Sequence, residues 1–184
     1  MRSLSPVEAA AAVAIAGSVL ATAVPAFVRN LHASRLSEAS DGLERIAMRA
    51  AALAAGRSAD SAYPDTAPLT PAQVPRGERV TDPPGTWDHA TWRRLDFELT
   101  VPHSFSFEFL SVNGLSSADA GNDGKGASPS ADAAPAQPGR ARFTARAHGD
   151  LDGDGSYSTF EISGESSDGA EPVTFPMTVD RAVE

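Results

Sequence analysis

Between Ala9 and Val28 the chain runs for twenty residues without a charge. About that length of helix crosses a bilayer core, so this stretch limits the folds open to everything after it. Glu8 stands at one end of the run and Arg29 at the other. A carboxylate at the margin of an apolar segment is costly in hydrocarbon unless partnered, which makes Glu8 a functional candidate by default. Alanine outnumbers leucine in the run, which is therefore only moderately hydrophobic. It suits a protein–protein core as well as lipid. Further on, Leu36, Ala39, Leu43, Ile46, Ala50 and Leu53 recur at three- and four-residue steps and form one stripe. Arg35, Glu38, Asp41, Glu44, Arg45 and Arg49 take the other faces. The spacing predicts a single helix of about 50 residues, about 75 Å long at 1.5 Å per residue. Pro25 and Gly42 are its weak points, and Gly56 with the residues up to Pro64 ends it.

The 184 residues leave room for one such helix and one modest domain. There is no cysteine, so no disulfide staples that domain. Residues 1–57 carry six arginines against four acids, so with −9 on the whole chain the remainder carries −11. A domain that acidic argues against nucleic acid as a partner, since phosphate binding needs a basic face. It suits a solvated surface that attracts cations.

Tyr63 to Gly85 holds six prolines and predicts an irregular connection lying over the domain. Trp87, Trp92, Leu95 and Phe97 follow as a cluster, the last three expected against the helix stripe as packing. Four alternating segments then predict strands: Phe105, Phe107 and Phe109; Phe143, Ala145 and Ala147; Phe160 and Ile162; and Val173, Phe175, Met177 and Val179. Pro176 makes the last an edge strand. Four strands in succession favour an antiparallel sheet, with the helix stripe covering its apolar face. Residues 116–141 are almost all Ser, Ala, Gly, Asp and Pro and predict a disordered surface insert.

Asp150-Leu-Asp-Gly-Asp-Gly-Ser-Tyr-Ser-Thr-Phe-Glu has the full pattern of a twelve-residue calcium loop. Ca²⁺ takes six to eight hard oxygens, and alternate carboxylates converge on one point only where glycine allows a sharp turn. Asp150, Asp152 and Asp154 would give side-chain oxygens, Ser156 its carbonyl and Glu161 one or two more. The flanks alternate as strands, however, which sets Glu161 on a strand where its side chain can point elsewhere. The competing reading is an Asp/Gly hairpin whose carboxylates cap backbone amides.

No catalytic pattern assembles. The four histidines lack zinc spacing, and neither a nucleophile elbow nor a glycine-rich phosphate loop is present. The chain reads as a non-enzyme.

Glu8, Gly17 and Pro25 followed by Ala26-Phe27-Val28 resemble the N-terminal helix of type IV pilins and type II secretion pseudopilins, over roughly residues 4–57. Ala147–Gly155 with Ser158–Phe160, and Asp82–His89 before Trp92–Leu95, are similar to recurrent motifs of delta-proteobacterial and myxobacterial pilin-like proteins. The resemblance implies an α+β pilin-like fold, a long N-terminal helix packed on a small four-stranded antiparallel sheet. Residues 1–3 would be a short leader removed by a prepilin peptidase between Ser3 and Leu4. Residues 4–28 would be the membrane-spanning half of the helix, 29–57 its amphipathic half and 58–184 a β domain. It further implies an inner-membrane protein with a periplasmic domain, then a cell-surface pilus or periplasmic pseudopilus. The function implied is that of a structural subunit, a minor pilin or pseudopilin, whose partners are copies of itself or other pilin subunits. Glu8 would pair with a neighbour's N-terminal amine, while Gly17 and Pro25 shape the assembling helix. The alternative is a secreted or membrane-tethered calcium-binding surface protein, its N-terminus an ordinary signal or anchor with Ala21-Thr22-Ala23 as the small-residue cleavage site.

Overall fold

The computed structural model describes residues 6–115 and 139–180, with Glu8 and Pro25 described by their backbone alone. Ser3, Leu4 and residues 116–138 of the expected insert lie outside the described residues. The chain divides into two units, Met1–Ser37 and Glu38–Glu184.

The first unit is helical from Pro6, where α1 (Pro6–Ala54) begins, and the helix continues through Pro25. Val7, Val13 and Ile15 are 78, 73 and 67 % exposed along it. Gly17 has open space where a side chain would stand. Ser18 Oγ donates to the Ala14 carbonyl at 2.9 Å. Among the described residues no helix is long and apolar enough to cross a membrane. That corrects the expected membrane-spanning half, the single-pass inner-membrane location, and the description as a transmembrane pilin that rests on both. Alanine makes up nine of the run's twenty residues, and Gly17, Ser18, Thr22 and Pro25 interrupt it.

The second unit is dominated by its sheet. Its strands are β1 (Ala67–Thr70), β2 (Phe105–Leu115), β3 (Arg140–Gly149), β4 (Ser158–Ser167), β5 (Val173–Thr174) and β6 (Thr178–Asp180). All pair antiparallel in the order β1-β2-β3-β4-β5, and β6 also pairs with β4. The expected fold, a long helix on a four-stranded sheet, is therefore corrected: the sheet has six strands, and within this unit α1 contributes only the turns from Glu38 to Ala54.

Those turns bury Ala39, Leu43, Ile46 and Ala50 of the stripe read from spacing, with Ala47 and Ala54 beside them, whereas Leu53 is only half-buried. Gly42 belongs to the buried face as well. The Phe107 ring of β2 lies directly on Gly42, which makes this glycine a contact point rather than a weak spot. On the sheet's inner face the three phenylalanines of β2 stand beside Phe143, Ala145 and Ala147 of β3, then Phe160 and Ile162 of β4, all buried. Cross-strand register alternates large with small: Phe107 opposite Ala147, Ala147 opposite Phe160, Phe143 opposite Gly164. A Cβ at Gly164 would lie 2.5 Å from Phe143, so the space belongs to the ring. Filling a core with aromatics needs such gaps, because interiors pack to crystal-like density.

Two strand expectations change. The proline-rich connection contains β1, only four residues long and carrying Pro68, at a sheet edge where a missing N–H is tolerated. The Val173–Val179 segment is not one inward strand. It splits around Pro176 into β5 and β6, and Val173, Phe175 and Val179 are exposed. The Phe175 N–H donates to the Ser163 carbonyl at 2.8 Å, but proline offers no donor to continue the ladder.

The short helix α2 (Ala90–Leu95) sits over β1, with Trp92 Nε1 donating to Thr70 Oγ1 at 2.9 Å. Trp87, Trp92 and Phe97 stack edgewise or tilted on one another, and Phe107 meets Trp87 and Phe97. The Arg45 guanidinium of α1 lies 4.6 Å from the Phe97 ring centre. These large groups are packing, as their clustering in sequence suggests.

Candidate metal centre in the hairpin after β3

Gly149 and Ser158 close the β3–β4 ladder, leaving residues 150–157 as the connection. The chain turns there because Gly153 and Gly155 take φ of +83° and +95°, a region side chains disfavour. Asp150 has a fully buried side chain. Its Oδ1 accepts the Gly153 N–H at 2.8 Å and its Oδ2 the Gly155 N–H at 3.1 Å. Asp152 Oδ1 accepts the Asp154 N–H at 3.1 Å, and Asp154 Oδ1 accepts the Ser156 N–H at 2.6 Å. The carboxylates are thus amide caps, as the hairpin reading expects. They also converge: one oxygen from each of Asp150, Asp152 and Asp154 falls within 4.8 Å of the others. Three hard oxygens so close form a set that could hold a metal ion.

Of the remaining expected ligands, Ser156 is in the loop with its N–H committed to Asp154. Glu161 is not brought to the aspartates. It lies on β4 opposite Arg146, whose Nε donates to Glu161 Oε2 at 2.6 Å. Arg146 also reaches Glu108 of β2 at 3.3 Å, and beside it Arg142 Nε donates to Glu165 at 3.0 Å. Strand alternation is the cause: Glu161 is one residue from inward-facing Phe160 and Ile162, so it shares the outer face with Arg146. The hydrogen bond from Arg146 to Glu161, more than any other influence, holds the guanidinium above its ordinary pKa, and desolvation opposes it. His148, two residues before Asp150, turns its Nδ1 to Thr159 Oγ1 at 3.0 Å on the same outer face.

Arg76 was not signalled by sequence. Its Nε lies 3.8 Å from Asp150 Oδ2, and the Gly77 N–H donates to the Asp150 carbonyl at 2.7 Å. These contacts pin the proline-rich connection to the acidic loop across more than seventy residues of sequence, a separation no local pattern reveals.

The Asp82–His89 motif also acquires a role. Gly85 turns the chain with φ of +91°, Trp87 enters the core, and His89 Nδ1 accepts the Thr91 N–H at 3.3 Å to cap α2. Asp82 Oδ2 receives Trp87 Nε1 at 2.8 Å and faces His103 Nε2 at 2.9 Å. His103 is itself buried.

Comparison with known proteins finds no matching family model, no matching curated protein and no matching solved structure.

Proposed function

We propose that this chain is a non-catalytic structural protein whose sheet domain binds Ca²⁺ through Asp150, Asp152 and Asp154. The convergence of those three carboxylates on one point carries the reading. A hard-oxygen set on a glycine-shaped loop favours calcium over softer-liganded metals. The loop's own amides already hold the carboxylates in place, so an ion would meet ligands that are largely arranged. The ion's effect would be structural, drawing together β3, β4 and the proline-rich connection that Arg76 and Gly77 attach. Supporting the non-catalytic part, His103 and His148 are each engaged in hydrogen bonds that hold loops or strands. Calorimetric titration of the full chain with CaCl₂ tests the reading. Binding heat that Asp152→Ala removes would support it, and a flat titration of the wild type would leave only the amide-capped turn.

A second observation favours assembly through the N-terminal helix. Val7, Val13 and Ile15 present large apolar side chains to solvent along α1, and a helix bearing such surface gains by bundling with others. We infer that the helix packs with copies of itself in a filament, the function implied by the resemblance of Glu8, Gly17 and Pro25. Sedimentation of the full chain tests this: Ile15→Asp should shift the species to smaller size, and an unchanged distribution would discard it.

A further inference from the structure

His103 and Asp82 meet in a largely buried site, their side chains 1 % and 6 % exposed. His103 Nδ1 lies 2.9 Å from the Phe105 carbonyl. A carbonyl only accepts, so Nδ1 carries a hydrogen. On the other side, Nε2 lies 2.9 Å from Asp82 Oδ2. A neutral ring has spent its one hydrogen at Nδ1 and would turn a bare lone pair toward a carboxylate oxygen. Two acceptors held face to face in a buried site are strongly disfavoured. The contact is attractive only when one further proton sits between Nε2 and Oδ2, most simply as imidazolium against carboxylate. Trp87 Nε1 donates to that same Oδ2, which favours the ionised acid.

We propose that His103 and Asp82 form a proton-bridged clasp that straps residues 80–87 onto the start of β2. Around the clasp, the loop presents Asp82 and the Trp87 indole, and β2 presents the Phe105 carbonyl. From α1 comes Glu38, which accepts the Ser104 N–H at 2.6 Å and pairs with Arg79 at 2.9 Å. Glu38 is thus neutralised by its own partner and leaves the shared proton to the clasp. The backbone depends on the same contact: Val80 and His103 exchange two hydrogen bonds, at 2.8 and 2.9 Å. The strap forms a wall of two surface grooves of about 780 and 380 Å³, both lined by Thr81, Asp82 and Pro83. Removing the Asp82 carboxylate would free the strap, join the grooves and uncover Trp87. The clasp is independent of cation binding at the hairpin.

The test uses the full chain labelled with ¹⁵N at neutral pH. The clasp requires His103 to show two protonated ring nitrogens. In Asp82→Asn the ring should revert to one protonated and one bare nitrogen. In the same variant, amide exchange at Val80 and His103 should accelerate at least about tenfold, some 1.4 kcal/mol of lost protection, while β3 amides stay protected. A bare Nε2 in the wild type overturns the proposal, and so does strap protection that Asp82→Asn leaves unchanged. Should Asp82→Asn fail to fold, the wild-type nitrogen pattern decides alone.

Discussion

Gly42 and Phe107 touch with no room for another atom: a Cβ placed on Gly42 would lie 2.6 Å from the Phe107 Cζ. The helix approaches the sheet as closely as it does because that position has no side chain. Glycine costs an isolated helix about 1 kcal/mol relative to alanine, yet at this point the ring's fit outweighs propensity. Phe107 is fully buried among Trp87, Phe97 and the helix, so it has little freedom to swing aside.

Replacing Gly42 by alanine should therefore destabilise the domain despite the better helix former. Overpacking a filled core costs about 1–3 kcal/mol, which exceeds the propensity gain. Gly42→Leu should cost more. Urea unfolding of the full chain measures both, and an alanine variant as stable as the wild type would show that the ring can yield.

Tyr63 predicts an alkaline limit. Its hydroxyl is buried with no protein partner among the described residues, and its ring packs edgewise on Phe143. Desolvation first, and then the nearby Glu165 carboxylate, push its pKa up to about 12 from 10.0. The folded state thus prefers the neutral phenol more than the unfolded state does. The stabilisation from this difference is fully present below pH 10 and is lost as pH rises toward about 12. Linkage over that window amounts to about 2–3 kcal/mol. Tyr63→Phe should flatten stability across it, and removing the unpaired hydroxyl should leave neutral-pH stability unchanged or slightly higher. Chemical denaturation at several alkaline pH values decides the matter, and a variant that falls as steeply as the wild type would implicate other groups.

The three aspartates should separate into structural and cation-binding roles. Asp150 is buried and serves two amides and Arg76, so Asp150→Ala should cost about 2–4 kcal/mol even with a chelator present. Asp152 and Asp154 are exposed and cap single amides, so their alanine variants should lose less than about 1 kcal/mol in chelator. They should, however, lose the added stability conferred by CaCl₂, about 2.7 kcal/mol at a hundred times the dissociation constant. Thermal melts with chelator and with calcium distinguish the two classes.

Glu161 should behave as a sheet residue. Glu161→Gln is expected to leave Ca²⁺ affinity within about twofold of the wild type. Arg146→Met leaves Glu108 and Glu161 facing one gap and should cost about 1 kcal/mol, discounted for side chains roughly one-third exposed, with the loss shrinking in high salt. A large fall in calcium affinity on changing Glu161 would place it in the cation's shell after all.

The parts of this fold that sequence makes legible are those governed by short-range periodicity. The stripe from Ala39 to Ala50 and the alternation of Phe105, Phe107 and Phe109 follow from helix and strand geometry, and the buried faces agree. The aspartate triplet is legible for the same reason, since its spacing lies within one turn of chain. Opaque features depend on distant partners. Arg76 beside Asp150, Asp82 beside His103 and Glu38 on the Ser104 amide join segments whose proximity only the folded sheet creates. Glu161 matched a loop template by count, but the strand's two-residue alternation overrode that count. Val173 to Val179 shows the opposite case, where alternation suggested burial that Pro176 prevents.

The amide caps around Asp150 bear on how this hairpin would answer a cation. Since Gly153 and Gly155 already grip that carboxylate, an arriving ion would find the mould cast, and little of the backbone would travel. Its signature would be quieter motion at residues 150–157, not a new shape. Such a loop is a rivet rather than a lever, able to stiffen the hairpin but poorly suited to signalling through it.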